Sequence, residues 1–171
     1  MNCYEVLGVL PGVTSVVGSG GKTTLLSKLS QEVRGTVVLT TSTHILPFPN
    51  MPLLENPTLS EVKDALTTHR VICVGTFSGE KHKLGPSALC AQELASVADY
   101  VFVEADGSKR LPLKTHAPHE PVIPEGSWLT IQVVGLSGFG QPVNQTVHRS
   151  EIFCDRAGCS PDDPTIPERV A

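Results

Sequence analysis

The sequence predicts a three-layer α/β fold, in which a mainly parallel β-sheet carries helices on both of its faces. Its apolar segments are short and continuous rather than alternating, which is typical of strands buried on both faces of a parallel sheet. Segments with helical spacing separate these strands. A glycine cluster stands between the first predicted strand and the first predicted helix, a position where open α/β sheets bind ligands.

The first two predicted strands enclose a helix. Residues 13–17 form a β-branched run that leads directly into the glycine cluster. From Thr23 the apolar side chains recur at helical spacing, and Gly35 ends the helix. Its apolar face comprises Leu26, Leu29 and Val33. Residues 36–41 form the second strand, which ends in hydroxyl side chains.

Two more helices separate the remaining strands. Thr58 and Glu61 form a capping box, in which a threonine oxygen and a glutamate carboxylate bind free amides at the start of a helix. Pro86 is predicted to begin another helix, with Cys90 on its apolar face. Further buried strands are predicted at residues 71–74, 100–103 and 129–134.

The last residues predict one more helix. Thr165 and Glu168 form a second capping box, with Pro167 in the first turn. The chain stops three residues after Glu168, and a single helical turn is not stable alone. We therefore interpret residues 1–171 as a single domain that is truncated at its C terminus.

Composition and charge limit the classes of partner. Thirteen basic and seventeen acidic residues give a net charge of −4, which argues against the basic face of a nucleic-acid binder. No apolar run approaches the roughly 18 residues of a membrane span, and the N terminus lacks the basic start of a signal peptide. The five cysteines include no Cys-x-x-Cys pair, and Cys73 and Cys90 are predicted to be buried thiols. These features predict a cytoplasmic protein with no nucleic-acid or membrane partner.

The strongest motif is the segment Gly-Ser-Gly-Gly-Lys-Thr-Thr at residues 18–24. Glycines let the backbone form a cradle of amides around phosphates, and the following helix adds its positive N-terminal end. Lys22 can reach the β- and γ-phosphates of a nucleoside triphosphate, and the Thr23 hydroxyl can ligate Mg²⁺. Val16 replaces the usual first glycine, so the loop resembles the shortened form found in Mur ligases. The alternative is a strand-to-helix turn with a solvated lysine.

This loop predicts a P-loop NTPase-like fold that binds Mg²⁺ and a nucleoside triphosphate. ATP is favoured weakly over GTP, because the Asn-Lys-x-Asp motif of many GTPases is absent. The predicted nucleotide-binding residues of the loop are Gly18, Ser19, Gly20, Gly21, Lys22, Thr23 and Thr24.

Two carboxylates follow the fourth predicted strand. Glu104 and Asp106 are two residues apart, so both can point into the crevice at the carboxyl end of that strand. One would hold Mg²⁺, and the other would orient a water or a substrate hydroxyl. We assign Mg²⁺ to Asp106, Thr23 and Thr41. The alternatives are a simple turn at Asp106 and ordinary β-propensity for Thr41.

A basic cluster comes next in the chain, and in an acidic protein it suggests an anionic ligand near the phosphates. Its members are Lys109, Arg110 and Lys114, followed by His116 and His119 between prolines. We predict that Lys109 contacts the nucleotide and that the catalytic residues are Lys22, Glu104, Asp106 and Arg110. A solvated charge run is the alternative for the cations, and a solvated loop is favoured for the histidines. Residues 79–85 are predicted to be a polar loop or a substrate contact.

These motifs together resemble one family. Six segments occur in order over residues 10–170: VVGSGGKTTLL, TTSTHI, GEKHKLGP, VFVEADGSKRLPLK, HAPHEPVIP and VHRSEIF. They are similar to the selenium-dependent hydroxylase accessory proteins, the YqeC-like family, whose members continue past residue 171. The resemblance implies a nucleotide-binding maturation factor whose partner is a molybdenum hydroxylase or its cofactor. By motif match its functional residues would be Lys22, Thr23, Glu104, Asp106, Lys109 and Arg110.

Three functions stay open at this point. The first is an NTP-hydrolysing assembly factor that helps to load selenium or a molybdenum cofactor into an apoenzyme. The second is a small-molecule kinase or Mur-like ligase that transfers a phosphoryl group to an anionic acceptor. The third is a nucleotide-dependent interaction module without turnover.

Overall fold

The computed structural model describes residues 1–78 and 83–170, and the elements below are numbered within those residues. The strands are β1 (Gly12–Gly18), β2 (Val37–Thr41), β3 (Leu53–Glu55), β4 (Val71–Ser78), β5 (Lys83–Gly85), β6 (Tyr100–Glu104), β7 (Leu113–Lys114), β8 (Ser127–Val133) and β9 (Val147–His148). The helices are α1 (Cys3–Val6), α2 (Lys22–Glu32), α3 (Leu59–Thr68), α4 (Ala91–Ala95), α5 (Val143–Thr146), α6 (Ser150–Ala157) and α7 (Pro167–Val170). None of these helices is long and apolar enough to cross a membrane.

The central sheet is mainly parallel, as predicted. Its strand order is β3-β4-β2-β6-β1-β8, and these six strands are parallel, while β5 pairs antiparallel with β4. The chain passes from β1 through α2 to β2, and β6 inserts later between the two strands. In register, Glu104 on β6 lies beside Val16 on β1 and Thr41 on β2. The carboxyl ends of these three strands therefore meet at one point, where strand order reverses and ligands bind in such sheets.

Helices cover both faces of the sheet, which confirms the three-layer prediction. Leu26 and Leu29 of α2 pack with Phe102 in one apolar cluster. Val62 of α3 and Leu94 of α4 pack in a second cluster on the opposite face. Strand side chains alternate between the two clusters, so every central strand is buried on both sides.

The helix predicted to begin at Pro86 starts later than expected. It begins at Ala91, because the Cys90 sulfur accepts a hydrogen bond from the Glu93 amide while the Glu93 carboxylate accepts one from the Cys90 amide. Cys90 is therefore the exposed cap of α4, and the prediction of a buried thiol is wrong for it. For Cys73 the prediction is confirmed, and burial raises the pKa of this thiol to about 12.

A smaller apolar cluster lies at the carboxyl edge of the sheet. It joins Leu113 of β7 with Val143, Val147 and Phe153 of α5, β9 and α6. The parallel pairing of β7 with β9 brings residues near 114 beside residues near 148. Helix α6 was not predicted from the sequence, nor were β7, α5 and β9, which are too short to carry a periodic pattern.

Candidate functional site

The glycine-rich loop connects β1 to α2 at the carboxyl edge of the sheet. A side chain would not fit at two of its positions: a Cβ on Gly18 would lie 2.2 Å from the Val133 oxygen, and one on Gly20 would lie 2.4 Å from the Gly135 Cα. Both glycines also have a left-handed backbone, with φ of 87° and 86°. Tight packing against the segment after β8 therefore fixes the shape of the loop.

The loop offers free amides. The Gly20 and Gly21 amides donate to no acceptor within the described residues, and the first amides of α2 have no intrahelical partner. The loop itself is anchored elsewhere, since the Ser19 amide donates to the Val133 carbonyl at 2.9 Å and the Ser19 hydroxyl to the Leu111 carbonyl at 2.7 Å. A row of unpaired donors at a helix N terminus is an anion-binding arrangement.

Lys22, the first residue of α2, is buried and paired. Its ammonium nitrogen lies 3.0 Å from Asp106 Oδ1 and 3.7 Å from Glu104 Oε1, and it donates to the Gly18 carbonyl at 2.6 Å. Only 4% of the side chain is exposed. The alternative of a solvated turn lysine is therefore wrong, because two carboxylates draw this ammonium under the loop.

Glu104 faces the start of α2. Its Oε2 accepts a hydrogen bond from the Thr23 hydroxyl at 3.1 Å. Burial raises the pKa of Glu104 above its usual range, against the opposing effects of Lys22 and the Thr23 hydroxyl. The Thr41 hydroxyl is engaged differently, since it donates to the Glu104 backbone carbonyl at 2.8 Å and accepts from the Thr43 amide at 3.0 Å.

Asp106 lies beneath the loop, fully buried. Strand β6 ends at Glu104, so Asp106 lies just beyond the strand, yet its carboxylate and that of Glu104 both contact the Lys22 ammonium. Asp106 Oδ2 accepts from the Gly18 amide at 2.8 Å, and it lies 2.7 Å from His116 Nε2 and 3.4 Å from Lys114 Nζ. Burial acts to raise the pKa of Asp106, but Lys22 and the Gly18 amide outweigh it and lower that pKa.

The pairing continues away from the loop. Lys114 is fully buried, donates to the Gly107 carbonyl at 2.6 Å and lies 3.1 Å from Glu120 Oε2. Glu120 also binds both Arg149 Nε at 3.1 Å and Arg149 Nη2 at 2.9 Å. Burial opposes ionisation of Glu120, but these two cations outweigh it and lower its pKa to about 2.

We call these side chains the inner charge cluster: Lys22, Asp106, Lys114, His116, Glu120 and Arg149. The sequence analysis placed Lys114 in a ligand-facing patch and His116 in a solvated loop, and the structure corrects both, since each contacts the buried Asp106. Arg149 was missed entirely. Its partner Glu120 is 29 residues away in the chain, and no local pattern signals such a pair.

An open cleft of about 620 Å³ lies on the outer side of the loop. The predicted residues that line it are Gly20, Gly21, Lys22, Thr23, Thr24, Glu104, Lys109 and Arg110, whereas Gly18, Ser19, Thr41 and Asp106 do not. Lys109 and Arg110 are exposed, have left-handed backbones with φ of 49° and 63°, and form no hydrogen bond or ion pair with another described residue. We call these two residues the cleft wall.

The cleft is cationic although the protein is acidic. Four of its lining side chains are lysine or arginine, including Lys83, and Glu104 is its one carboxylate among the described residues. Residues 79–82 of the predicted polar loop lie outside the described part of the chain. His148, which the sequence analysis missed, also lines the cleft, and burial together with Lys114, Arg149 and Lys109 lowers its pKa.

One position in the site has oxygen ligands that suit a small hard cation. Within residues 1–78 and 83–170, no three His, Cys, Asp or Glu side chains form a metal site of their own. Mg²⁺, however, usually takes only one or two protein oxygens and completes its shell with phosphates and waters. The Thr23 hydroxyl and the Glu104 carboxylate supply such a pair at the end of the loop.

The fold and the site together define the structural class of this protein. It is a three-layer α/β protein with a glycine-rich loop at the carboxyl edge of a mainly parallel sheet. The chain belongs to the YqeC family, because the family model described as YqeC protein matches residues 14–151. It is 35% identical over 162 residues to the "Uncharacterized protein YqeC" of Escherichia coli strain K12, which covers 89% of this chain. The chain spans 63% of the length of that relative. No solved structure matches the chain significantly.

Proposed function

We propose that this YqeC-family protein binds a nucleoside triphosphate with Mg²⁺ in the cleft and acts as an accessory factor in the maturation of selenium-dependent molybdenum hydroxylases. One observation carries the nucleotide proposal. The free amides of the glycine-rich loop face a cleft that holds four cationic side chains in a protein of net charge −4. Such a cleft attracts a polyanion and gives its phosphates hydrogen-bond donors.

Lys22 would contact the β- and γ-phosphates. In the structure its ammonium is held by Asp106 and the Gly18 carbonyl, so phosphate binding requires it to exchange these partners. Asp106 does not become an unpaired buried charge in that exchange, because Lys114 and His116 stay beside it. The other cations of the inner charge cluster therefore lower the electrostatic cost of moving the Lys22 ammonium from Asp106 to a phosphate.

Thr23 and Glu104 would hold Mg²⁺, Lys109 would contact the nucleotide from the cleft wall, and Arg110 would stabilise the charge that develops in phosphoryl transfer. Bound there, Mg²⁺ would neutralise charge on the β- and γ-phosphates. The Glu104 carboxylate is buried beside Lys22, the residue proposed to contact the β- and γ-phosphates, which supports this assignment. We assign Asp106 to positioning the loop rather than to the metal, because its carboxylate oxygens are hydrogen-bonded or ion-paired to Gly18, Lys22, Lys114 and His116.

The proposed accessory role rests on the membership of this chain in the YqeC family. The segments that line the site, from the loop through the carboxylates to the basic cluster, lie inside the matched residues 14–151. A molybdenum hydroxylase, or its cofactor, is the proposed partner. ATP is the proposed nucleotide, with GTP as the alternative to test beside it.

A second candidate is a small-molecule kinase or Mur-like ligase. The cleft wall favours it, because Lys109 and Arg110 are exposed and without partners in the described residues. Two free cations opposite a phosphate loop could bind an anionic acceptor as well as stabilise a phosphoryl group.

Calorimetry on a matched pair of lysine variants tests nucleotide binding. Lys22→Ala should lower ATP affinity at least tenfold, since a hydrogen bond to a charged group contributes about 1.5–3 kcal/mol. Lys28→Ala is the control: Lys28 lies on the same helix, is 58% exposed, and among the described residues forms an ion pair with Glu32 alone. Circular dichroism should show both variants folded. The proposal is refuted if Lys22→Ala binds ATP as tightly as the wild type does and also binds GTP as tightly as the wild type does.

Single-turnover assays separate the two candidates. Slow basal hydrolysis that a molybdenum hydroxylase accelerates supports the accessory role, whereas dependence on a small anionic acceptor supports the kinase or ligase. Binding without turnover under either condition would indicate an interaction module.

A further inference from the structure

Helix α6 ends at a glycine, and backbone hydrogen bonds at this helix end fix the positions of the residues on either side of the glycine. Gly158 has a left-handed backbone, with φ of 61° and ψ of 43°, and its amide donates to the Cys154 carbonyl. The next amide, that of Cys159, donates to the same carbonyl at 3.1 Å. This six-residue closure is the Schellman type of helix ending, which brings the side chains at its two ends into contact.

Both ends of this closure are cysteines. Cys154 and Cys159 pack against the same apolar cluster, beside Phe153, and burial together with the neighbouring Cys159 thiol raises the pKa of Cys154. Both are partly exposed, so a small molecule in solution can reach them. The contact is imposed by the way the helix ends, because the glycine allows the turn that returns the chain to Cys154.

The other three cysteines differ from this pair. Cys73 is buried, with its pKa raised to about 12, so it has almost no reactive thiolate at neutral pH. Cys90 is exposed, but its sulfur caps α4. Cys3 packs beside α2 at the other end of the chain from the pair. All five thiols are free in the structure.

We propose that Cys154 and Cys159 form a redox-active pair that closes to an intramolecular disulfide on reaction with a small disulfide such as oxidised glutathione. One cysteine thiolate attacks the small disulfide, forms a mixed disulfide and releases one small thiol. The second cysteine then attacks the protein sulfur of that mixed disulfide and releases the other small thiol. The protein pair loses two protons and two electrons, and one small disulfide is reduced to two thiols.

The pair is independent of nucleotide binding, so its test is separate. Reduced protein is incubated with oxidised glutathione, its remaining thiols are alkylated, and intact mass and peptide masses are measured. We expect two thiols to become protected, with a peptide cross-linked between Cys154 and Cys159 and no bound glutathione. Five alkylated cysteines, stable glutathione adducts on the pair, or cross-links to other cysteines would overturn the proposal.

Three variants sharpen the experiment. Cys159→Ser should stop the reaction at a stable glutathione adduct on Cys154, whereas Cys90→Ser should leave the cross-link unchanged. Gly158→Ala keeps both thiols but disfavours the left-handed turn, so the rate of closure should fall roughly fivefold. An unchanged rate in a folded Gly158→Ala variant would show that the helix ending does not pair the thiols. Closure in Cys159→Ser would show that another cysteine is the partner.

Discussion

The inner charge cluster and the cleft wall both contain lysine and arginine, but these cations differ in their ion pairing, and Lys114 differs from the wall in its burial. Lys114 and Asp106 in the cluster are fully buried and paired, whereas Lys109 and Arg110 on the wall are exposed and make no ion pair with described residues. A buried charge needs its partners, because removing one of them leaves the other desolvated and uncompensated. An exposed charge is free to bind a ligand. The comparison teaches that burial and pairing separate Lys114 from Lys109 and Arg110, cations only a few residues apart in the chain.

The carboxylates of Glu104 and Asp106 also differ in their environments, although they are only two residues apart. Burial dominates at Glu104 and raises its pKa, whereas cations and the Gly18 amide dominate at Asp106 and lower its pKa. Glu104 lines the cleft and Asp106 does not. Residue type and spacing alone do not separate these environments.

The largest expected effect is on stability. Lys114→Ala removes the cation that Asp106 and Glu120 share, and although Lys22 and Arg149 remain beside them, the free energy of unfolding should fall by about 3 kcal/mol. Lys109→Ala, the exposed control, should stay within about 0.5 kcal/mol of wild type. Urea denaturation measures both. Similar urea midpoints for the two variants would show that the inner charge cluster and the cleft wall do not differ in their contribution to stability.

The next effect is a pH dependence of stability. The folded pKa of Glu120, about 2, lies below its ordinary value of 4.5, so its stabilisation is complete above pH 4.5 and is lost as the pH falls toward 2. The shift corresponds to about 3 kcal/mol. Acid unfolding should therefore be less steep over this window in Glu120→Gln than in wild type. Parallel stability curves would show that Glu120 is not held ionised by Arg149 and Lys114.

A smaller effect tests which carboxylate serves Mg²⁺. Glu104→Gln should reduce the gain in ATP affinity caused by Mg²⁺ roughly tenfold, because an amide is a poorer ligand for a hard cation. Asp106→Asn should mainly lower the urea midpoint, since it removes the shared partner of Lys22 and Lys114. Calorimetry with Mg²⁺ or EDTA measures the metal dependence. A selective loss in Asp106→Asn would restore the assignment made from the sequence.

The smallest change is expected at the cleft wall. Arg110→Ala should leave stability and ground-state ATP affinity nearly unchanged, and lower turnover roughly fivefold, or by about 1 kcal/mol. If Arg110 instead contacts a client protein, basal turnover should persist and only its stimulation by the client should fall. Unchanged rates in both assays would identify Arg110 as a solvated surface charge.

Much of the fold was predictable because its signals are local. The β-branched run before the glycines, the period of Leu26 and Leu29, and the capping box at Thr58 each depend on a few neighbouring residues. The late start of α4 was not predicted, because a cysteine took the capping position usually held by a hydroxyl or carboxylate.

By itself the sequence determined the order of the main strands of the central sheet and of the helices between them, and the place where the glycine-rich loop joins β1 to α2. Glycine spacing suffices for that loop, since only residues without a Cβ fit its turns. Tertiary structure alone decided that the side chains of Asp106 and Lys114 lie inside and that Arg149 joins Glu120. Such outcomes depend on burial and on Coulomb interactions between residues far apart in the chain, and neither is encoded by a local pattern.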